Sequence, residues 1–246
     1  MTDFLRRIFR RRRHEEKPPF CTVIVAAAGS STRMGGEDKI MADLLGEPVI
    51  VHTLRALEDC GRINEIIVVT RSELILPIGE AARRAGFSKL TKIIEGGETR
   101  THSVRLGTLE ADGQAELIAV HDGARPLVTQ EVLEKVIRSA ETTNASTPAV
   151  PVKDTIKRAV DGVVDSTPKR QYLYAVQTPQ VFSADLIKAA LQRAINDGAT
   201  VTDDCSVVER LGVRVTLTKG SEENIKITTP VDLAIAAAIL QWRDSR

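Results

Sequence analysis

TVIVAAAGSSTRMGG, residues 22–36, changes character halfway along. Residues 22–27 are β-branched or small and apolar, the composition of a strand buried on both faces of a parallel sheet. At Gly29 the run breaks into Ser30, Ser31 and Thr32, and two cations follow six residues apart, Arg33 and Lys39, with Gly35 and Gly36 between them. Small residues let a backbone approach a ligand, exposed N–H groups bind anions, and Arg and Lys neutralise phosphate oxygens. A glycine-rich turn can equally be plain solvated chain. The two placed cations favour a holder for a nucleoside triphosphate. The spacing is neither G-x-x-x-x-G-K-[ST] nor G-x-G-x-x-G, so kinase, GTPase and dehydrogenase readings lose their main support.

Outward from this strand, short β-branched runs alternate with amphipathic segments, the pattern of a mostly parallel twisted sheet covered by helices on both faces. The expected strands are TVIVAA (22–27), EIIVVT (65–70), LTKII (90–94), ELIAVHD (116–122) and TPAVPV (147–152). Thr129 is placed to cap a helix over 130–144 in which Leu133, Val136, Ile137 and Ala140 share one face. Ser183 should cap a helix closed by Gly198, Thr202 should open another closed by Gly212, and the last helix should start at Thr229-Pro230. Between Lys153 and Thr178 the pattern differs. β-type runs flank Asp161-Gly162, a two-residue hairpin signal, and predict an arm projecting from the sheet. The expected organisation is a basic, disordered tail over 1–19 and one domain over 20–246, with its β-arm at about 153–178.

The tail carries seven cations against three acids, a local charge of +4, so the remainder of this +1 chain sums to −3. An acidic body argues against nucleic-acid binding by the domain. The tail lacks the apolar core and cleavage site of a signal peptide. No apolar run reaches the roughly 18–20 residues needed to cross a bilayer, and no stable membrane association is expected. Cys21, Cys60 and Cys205 have no metal-ligand spacing, and an odd, sparse count points to a reducing compartment, the cytoplasm.

Four further segments place polar residues where a strand gives way to a loop, the region where open α/β sheets bind ligands. They are EGGETRTHSV (95–104), VHDGARP (120–126), PVKDTIKR (151–158) and NIKIT (224–228). Gly96-Gly97 allows close backbone approach, and Arg100 and Ser103 start a helix. Asp122 is followed by Arg125, and Lys226 sits in an otherwise β-like run. Taken in order, AAAGSSTRMG with Lys39, GGETRTHSV, HDGARP, DTIKR, Arg170 followed by QTPQVF, TDDCS and NIKIT resemble the 2-C-methyl-D-erythritol 4-phosphate cytidylyltransferase family. The resemblance runs from about Thr22 to the last helix.

That resemblance implies a Rossmann-like nucleotidyltransferase that joins CTP to methylerythritol phosphate in non-mevalonate isoprenoid synthesis, with Mg²⁺ or another divalent cation as cofactor. Arg33 and Lys39 would steady the triphosphate and the α-phosphorus, and Ala27, Ala28 and Gly29 would give close backbone contacts. Gly97, Glu98 and Ser103 would read cytosine, although Glu98 stands where a familiar member has Asp. Asp122 would lie near the ribose and the polyol. Arg125, Thr155, Arg170 and Thr178 would hold methylerythritol phosphate, and Lys226 would reach both substrates. No metal ligand is assigned to the protein. The family also implies a homodimer through the β-arm, with Arg170 of one chain completing the site of the other. Gly123 replaces the second alanine of the common HDAARP, a change expected to be harmless. Some relatives continue into a fused cyclase domain, whereas this chain ends soon after its last helix, so a single activity is expected.

Such chemistry needs few acids or bases. A phosphate monoester has a second pKa near 6 and is mostly dianionic at neutral pH, so no proton has to be removed from the nucleophile. Catalysis then consists of bringing two polyanions into line and stabilising charge on the equatorial oxygens. Two other readings stay open. Ribitol-5-phosphate cytidylyltransferases share the fold, the nucleotide and the reaction; Lys157-Arg158 after DTI, and HDGARP without a valine before its arginine, favour methylerythritol. A non-catalytic nucleotide-binding protein of the same fold should have lost Arg33, Lys39 or Lys226, and all three are present.

Overall fold

β1 (Cys21–Ala26) is the strand foreseen in the opening stretch, and it lies at the middle of the sheet. The computed structural model describes residues 18–29 and 38–245; most of the basic tail, and residues 30–37 with Arg33, lie outside the described residues. A small two-stranded ribbon, β2 (Asp43–Leu44) with β3 (Glu47–Pro48), leads into α1 (Val49–Glu58). There follow β4 (Glu65–Thr70), α2 (Ser72–Ala85), β5 (Leu90–Glu95), α3 (Arg100–Glu110), β6 (Leu117–Asp122), α4 (Gln130–Thr143) and β7 (Ala145–Pro151). A separate hairpin, β8 (Arg158–Val160) and β9 (Val163–Ser166), precedes β10 (Tyr174–Val176), β11 (Gln180–Ser183), α5 (Ala184–Asn196), α6 (Asp204–Glu209), β12 (Thr216–Lys219) and α7 (Pro230–Asp244).

Strands β5, β4, β1 and β6 pair in parallel in that order. β11 is antiparallel to both β6 and β7, β10 is antiparallel to β7, and β12 runs parallel to β7. The expected α/β architecture is therefore present, with an antiparallel insertion. Alternate side chains of each central strand enter opposite cores. Val23, Val25, Ile66, Val68 and Ala119 pack with α1, α2, α4 and α7, whereas Ile24, Ile67, Val69, Ile118 and Val120 pack with α3, α5 and α6. Burying each Val or Ile contributes about 1.5–3 kcal/mol, so the two-sided β-branched runs are what hold the sheet between its helix layers.

Thr129 caps α4, its hydroxyl accepting from Val132 N–H at 3.4 Å, and Leu133, Val136, Ile137 and Ala140 are all buried. The Asp161-Gly162 turn has positive φ at both residues, 49° and 78°, as a two-residue hairpin loop requires. Thr202 does not open α6: Asp203 does, in a capping box with Ser206, because a carboxylate is at least as good a cap and stands one residue nearer the helix. The run around Lys226 is not a strand either. Ile227 N–H donates to Ala124 O at 2.8 Å, so this segment is a loop tied to the chain that follows β6.

Candidate active site

The loops after the parallel strands are fastened to one another by main-chain bonds. Ala27 N–H donates to Val69 O at 2.8 Å, Gly96 N–H to Thr70 O at 2.7 Å, and Gly123 N–H to Ala26 O at 3.0 Å. Together they frame a cleft of about 340 Å³ at the carboxyl ends of β1, β5 and β6. Ala27, Ala28 and Gly29 form one wall, Gly97, Glu98 and Ser103 face them, and Lys39, Asp122 and Lys226 complete the lining. Close approach of these walls requires glycine. A Cβ on Gly96 would stand 2.8 Å from Ser103 Oγ and 2.9 Å from Ala28 Cβ, and one on Gly97 would stand 2.6 Å from His102 Cβ. Ser103 Oγ in turn accepts from Gly97 N–H at 3.1 Å and lies 2.9 Å from Thr99 O, pinning the loop to the first turn of α3.

A second, smaller cleft of about 170 Å³ adjoins the first and is lined by Arg125, Gln177, Thr178, Gln180, Thr202 and Asp203. Arg100, Asp122 and Lys226 line both. Lys226 Nζ lies 3.0 Å from Asp122 Oδ2, and Arg125 Nε lies 3.3 Å from the same oxygen. Burial alone would raise the Asp122 pKa. The positive charges of Lys226, Arg125 and Arg100 outweigh it and hold the carboxyl at about 2. Arg100 donates to Asp204 Oδ2 at 2.6 Å, and burial pushes that carboxyl above its ordinary value against the pull of Arg100.

Beneath Asp122 runs a chain of hydrogen bonds. Asp122 N–H donates to Thr178 Oγ1 at 3.0 Å, Thr178 Oγ1 lies 3.0 Å from His121 Nδ1, and His121 Nε2 lies 3.2 Å from Arg125 O. A carbonyl can only accept, so Nε2 carries the proton and Nδ1 accepts from the threonine hydroxyl. Burial lowers the His121 pKa to about 4, and both ring nitrogens are occupied. The imidazole is thus a neutral brace between Asp122 and Arg125 and not an acid or base.

The structure brings Ala27, Ala28, Gly29, Lys39, Gly97, Glu98, Ser103, Asp122 and Lys226 to the first cleft, and Arg125 and Thr178 to the second. Thr155 and Arg170 line neither cleft; both are exposed on the arm segment, where Arg170 Nη1 donates to Lys153 O at 2.7 Å. Arg33 is outside the described residues. Sequence reasoning gave no binding role to Arg100, Gln177 or Thr202, and their presence within GGETRTHSV, QTPQVF and TDDCS was the available signal. Gly123 is less neutral than its loop position implies. A Cβ there would lie 3.1 Å from Ile50 Cδ1 and 3.2 Å from Ala27 Cβ, so alanine needs Ile50 to give way slightly. Among the described residues no group of three His, Cys, Asp or Glu side chains could hold a metal ion, and no helix is long and apolar enough to cross a membrane.

Comparison with known proteins agrees along nearly the whole domain. Residues 21–242 match the family model for 2-C-methyl-D-erythritol 4-phosphate cytidylyltransferase. The protein of that name from Caldanaerobacter subterraneus subsp. tengcongensis is 43% identical over 214 residues, 86% of this chain and 94% of the relative. The one from Desulforamulus reducens is 44% identical over 216 residues, 87% of this chain and 92% of the relative. Among solved structures, 4-diphosphocytidyl-2C-methyl-D-erythritol synthase from Anaerococcus prevotii superposes with a TM-score of 0.82 at 33% identity, covering 91% of this chain and 97% of that one. Sequence, fold and relatives lead to one assignment: the chain belongs to the 2-C-methyl-D-erythritol 4-phosphate cytidylyltransferase family.

Proposed function

We propose that this protein transfers the cytidylyl group of CTP to 2-C-methyl-D-erythritol 4-phosphate and releases diphosphate, a step of non-mevalonate isoprenoid synthesis. The observation that carries the reading is that two clefts, one walled by close backbone and one rimmed by cations, share Arg100, Asp122 and Lys226. A reaction between two phosphate-bearing substrates needs such a junction, with positive charge where they meet. In this reading Gly97, Glu98 and Ser103 recognise cytosine, and Ala27–Gly29 with Arg33 and Lys39 hold the triphosphate. Arg125 and Thr178 hold the polyol phosphate, and Lys226 neutralises charge that grows between the substrates. Asp122, already ionised, orients Lys226 and Arg125 and accepts from ribose or polyol hydroxyls. The neutral, fully bonded His121 supports a route in which the phosphate nucleophile attacks without prior deprotonation.

Ionised Asp122 is the residue that would hold a Mg²⁺ ion brought with the nucleotide, since such an ion keeps several waters and needs one or two carboxylates at most; the ion would supply neutralisation of the phosphates. Thr155 and Arg170, which line neither cleft of their own chain, act on this reading in a partner's site across a homodimer built on the β-arm. We take the catalytic unit as residues 20–246 with the arm at about 153–178, and the basic residues 1–19 as an appended segment. Three buried thiols without a disulfide support the reducing cytoplasm as its location. The test is diphosphate release with each of four nucleoside triphosphates against methylerythritol 4-phosphate and ribitol 5-phosphate, with and without Mg²⁺. Release that depends on CTP, methylerythritol phosphate and Mg²⁺ together is expected. Equal or greater turnover of ribitol 5-phosphate would transfer the protein to the sister activity.

A further inference from the structure

Asp38 poses an electrostatic problem for the reading above. A carboxylate directly beside Lys39 should weaken a site for a triphosphate, both by repelling it and by competing for the lysine. Its structural partner is Arg71, the residue between β4 and α2. One guanidinium makes three contacts. Nη2 pairs with Asp38 Oδ2, Nη1 donates to Gly29 O at 3.3 Å, and Nε donates to Glu73 Oε1 at 2.6 Å. Gly29 lines the first cleft, and Asp38 directly precedes Lys39, which lines it too. Asp38 Oδ1 also accepts from Ile40 N–H at 2.8 Å, so the carboxylate grips the chain on the far side of Lys39. Lys39 Nζ stands 3.9 Å from the place a Cβ on Gly29 would occupy.

Arg71 is a poor residue for its own helix. It occupies the N-cap of α2 without making a side-chain cap bond, and a cation there opposes the helix dipole. Its side chain turns to Gly29 and Asp38 instead. Asp38 is 16% exposed and Arg71 29%, so the pair is screened less than an ordinary surface ion pair. Arg71 lines neither cleft.

We propose that Arg71 is a positioning residue of the first cleft: its guanidinium ties the Gly29 carbonyl to the Asp38 carboxylate, so holding Gly29 and the chain at Lys39 in register, and cancels the negative charge beside Lys39. This inference rests on the cytidylyltransferase reading, since that reading assigns Gly29 and Lys39 to CTP. Losing the clamp should loosen CTP while leaving the polyol cleft untouched. In Arg71→Gln, the Kd for CTP with Mg²⁺, read by titration calorimetry without the second substrate, should rise about 10-fold or more, as should KM for CTP. KM for methylerythritol phosphate should stay within about twofold of wild type, and Tm should hold within about 2 °C. Asp38→Asn should lose part of the same affinity, and the double variant should lose no more than Arg71→Gln, because both break one pair. The exchange Arg71→Asp with Asp38→Arg should bind CTP more tightly than Arg71→Asp alone. Arg71→Lys, which keeps one charge, should fall between wild type and Arg71→Gln and serves if the glutamine variant folds poorly. Wild-type CTP affinity in Arg71→Gln, or equal weakening of both substrates with a lower Tm, would overturn the proposal. A wild-type protein that binds CTP but does not turn over methylerythritol phosphate would sink the functional reading and leave the clamp to be judged on the calorimetry.

Discussion

Asp122 and His121 are adjacent in sequence and meet acid in opposite senses, yet both make the fold sensitive to it. His121 keeps a pKa of about 4 against its ordinary 6.5, so between those values the unfolded chain binds a proton that the folded chain refuses. Stability from this group is complete above about pH 6.5 and is lost as pH falls toward 4, by on the order of 3 kcal/mol. Asp122, held at about 2 against 3.8, contributes stability above about pH 3.8 that is lost as pH falls toward 2. The first effect should dominate in the accessible range. Urea midpoints measured from pH 7 to 4.5 should fall steadily for the wild type and more shallowly for His121→Asn; parallel curves would show that the imidazole is not held neutral. The cationic side chains call for a different measurement. Lys39→Ala and Arg33→Ala should each lower kcat by at least about 100-fold with Tm unchanged, because on the proposed reading each would remove charge that is needed most in the transition state. Normal turnover in either would refute its placement at the triphosphate.

Helix α3 joins the site to the sheet, and its contact with the sheet is made at Gly107. A Cβ on Gly107 would lie 2.5 Å from Ile24 Cγ2 and 2.9 Å from Val69 Cγ2, side chains that are themselves wholly buried. Replacing a mid-helix glycine by alanine normally gains about 1 kcal/mol. Here Gly107→Ala should instead cost about 1–3 kcal/mol, as overpacked cores do, and should raise KM for CTP by lifting Ser103 and the Gly96-Gly97 loop from the cleft. A stabilised variant in urea titration would show that the helix can slide over the sheet. Nothing in the helix's own sequence announces this contact, since a lone glycine also fits a loose end. Elements were legible where periodicity was long: β1, β4, β6 and α4 carry their burial pattern in their residues. β10, β11 and β12 have three or four residues each, too few for a period, and their pairing with β7 and β6 is decided by tertiary packing. Within the site, glycines and cations could be picked out by type and motif order. Gln177 and Thr202 stand inside the quoted QTPQVF and TDDCS motifs, but their place in the second cleft was not readable there, because the antiparallel insertion and the cap of α6 bring them to it.

The shape of the whole molecule leaves one feature that a single chain does not satisfy. In the hairpin β8–β9 and the segments beside it, Val163 and Tyr172 are 72% and 71% exposed, and Ile156, Val160, Val164, Tyr174 and Val176 are exposed as well. A two-stranded hairpin is marginal alone in water, and an apolar cluster of this kind marks an interaction surface. Arg170 lies in the same region and lines neither cleft of its own chain, although the family resemblance implies a place for it at the polyol phosphate. A two-fold dimer through the arms, as proposed above, would give each site a Lys39 from one chain and an Arg170 from the other. Arg170→Ala and Lys39→Ala homodimers should then each be nearly inactive. Co-refolded in equal amounts, half of the dimers are mixed, and each mixed dimer has one site with both lesions and one with none. Random two-fold pairing should therefore restore roughly a quarter of wild-type activity. The readout is diphosphate release, set beside native mass spectrometry of the same mixture to count the mixed dimers. Mixed dimers that form in the expected proportion yet stay as inactive as their parents would place Arg170 in the site of its own chain, and the arm would then have to fold back when substrate binds.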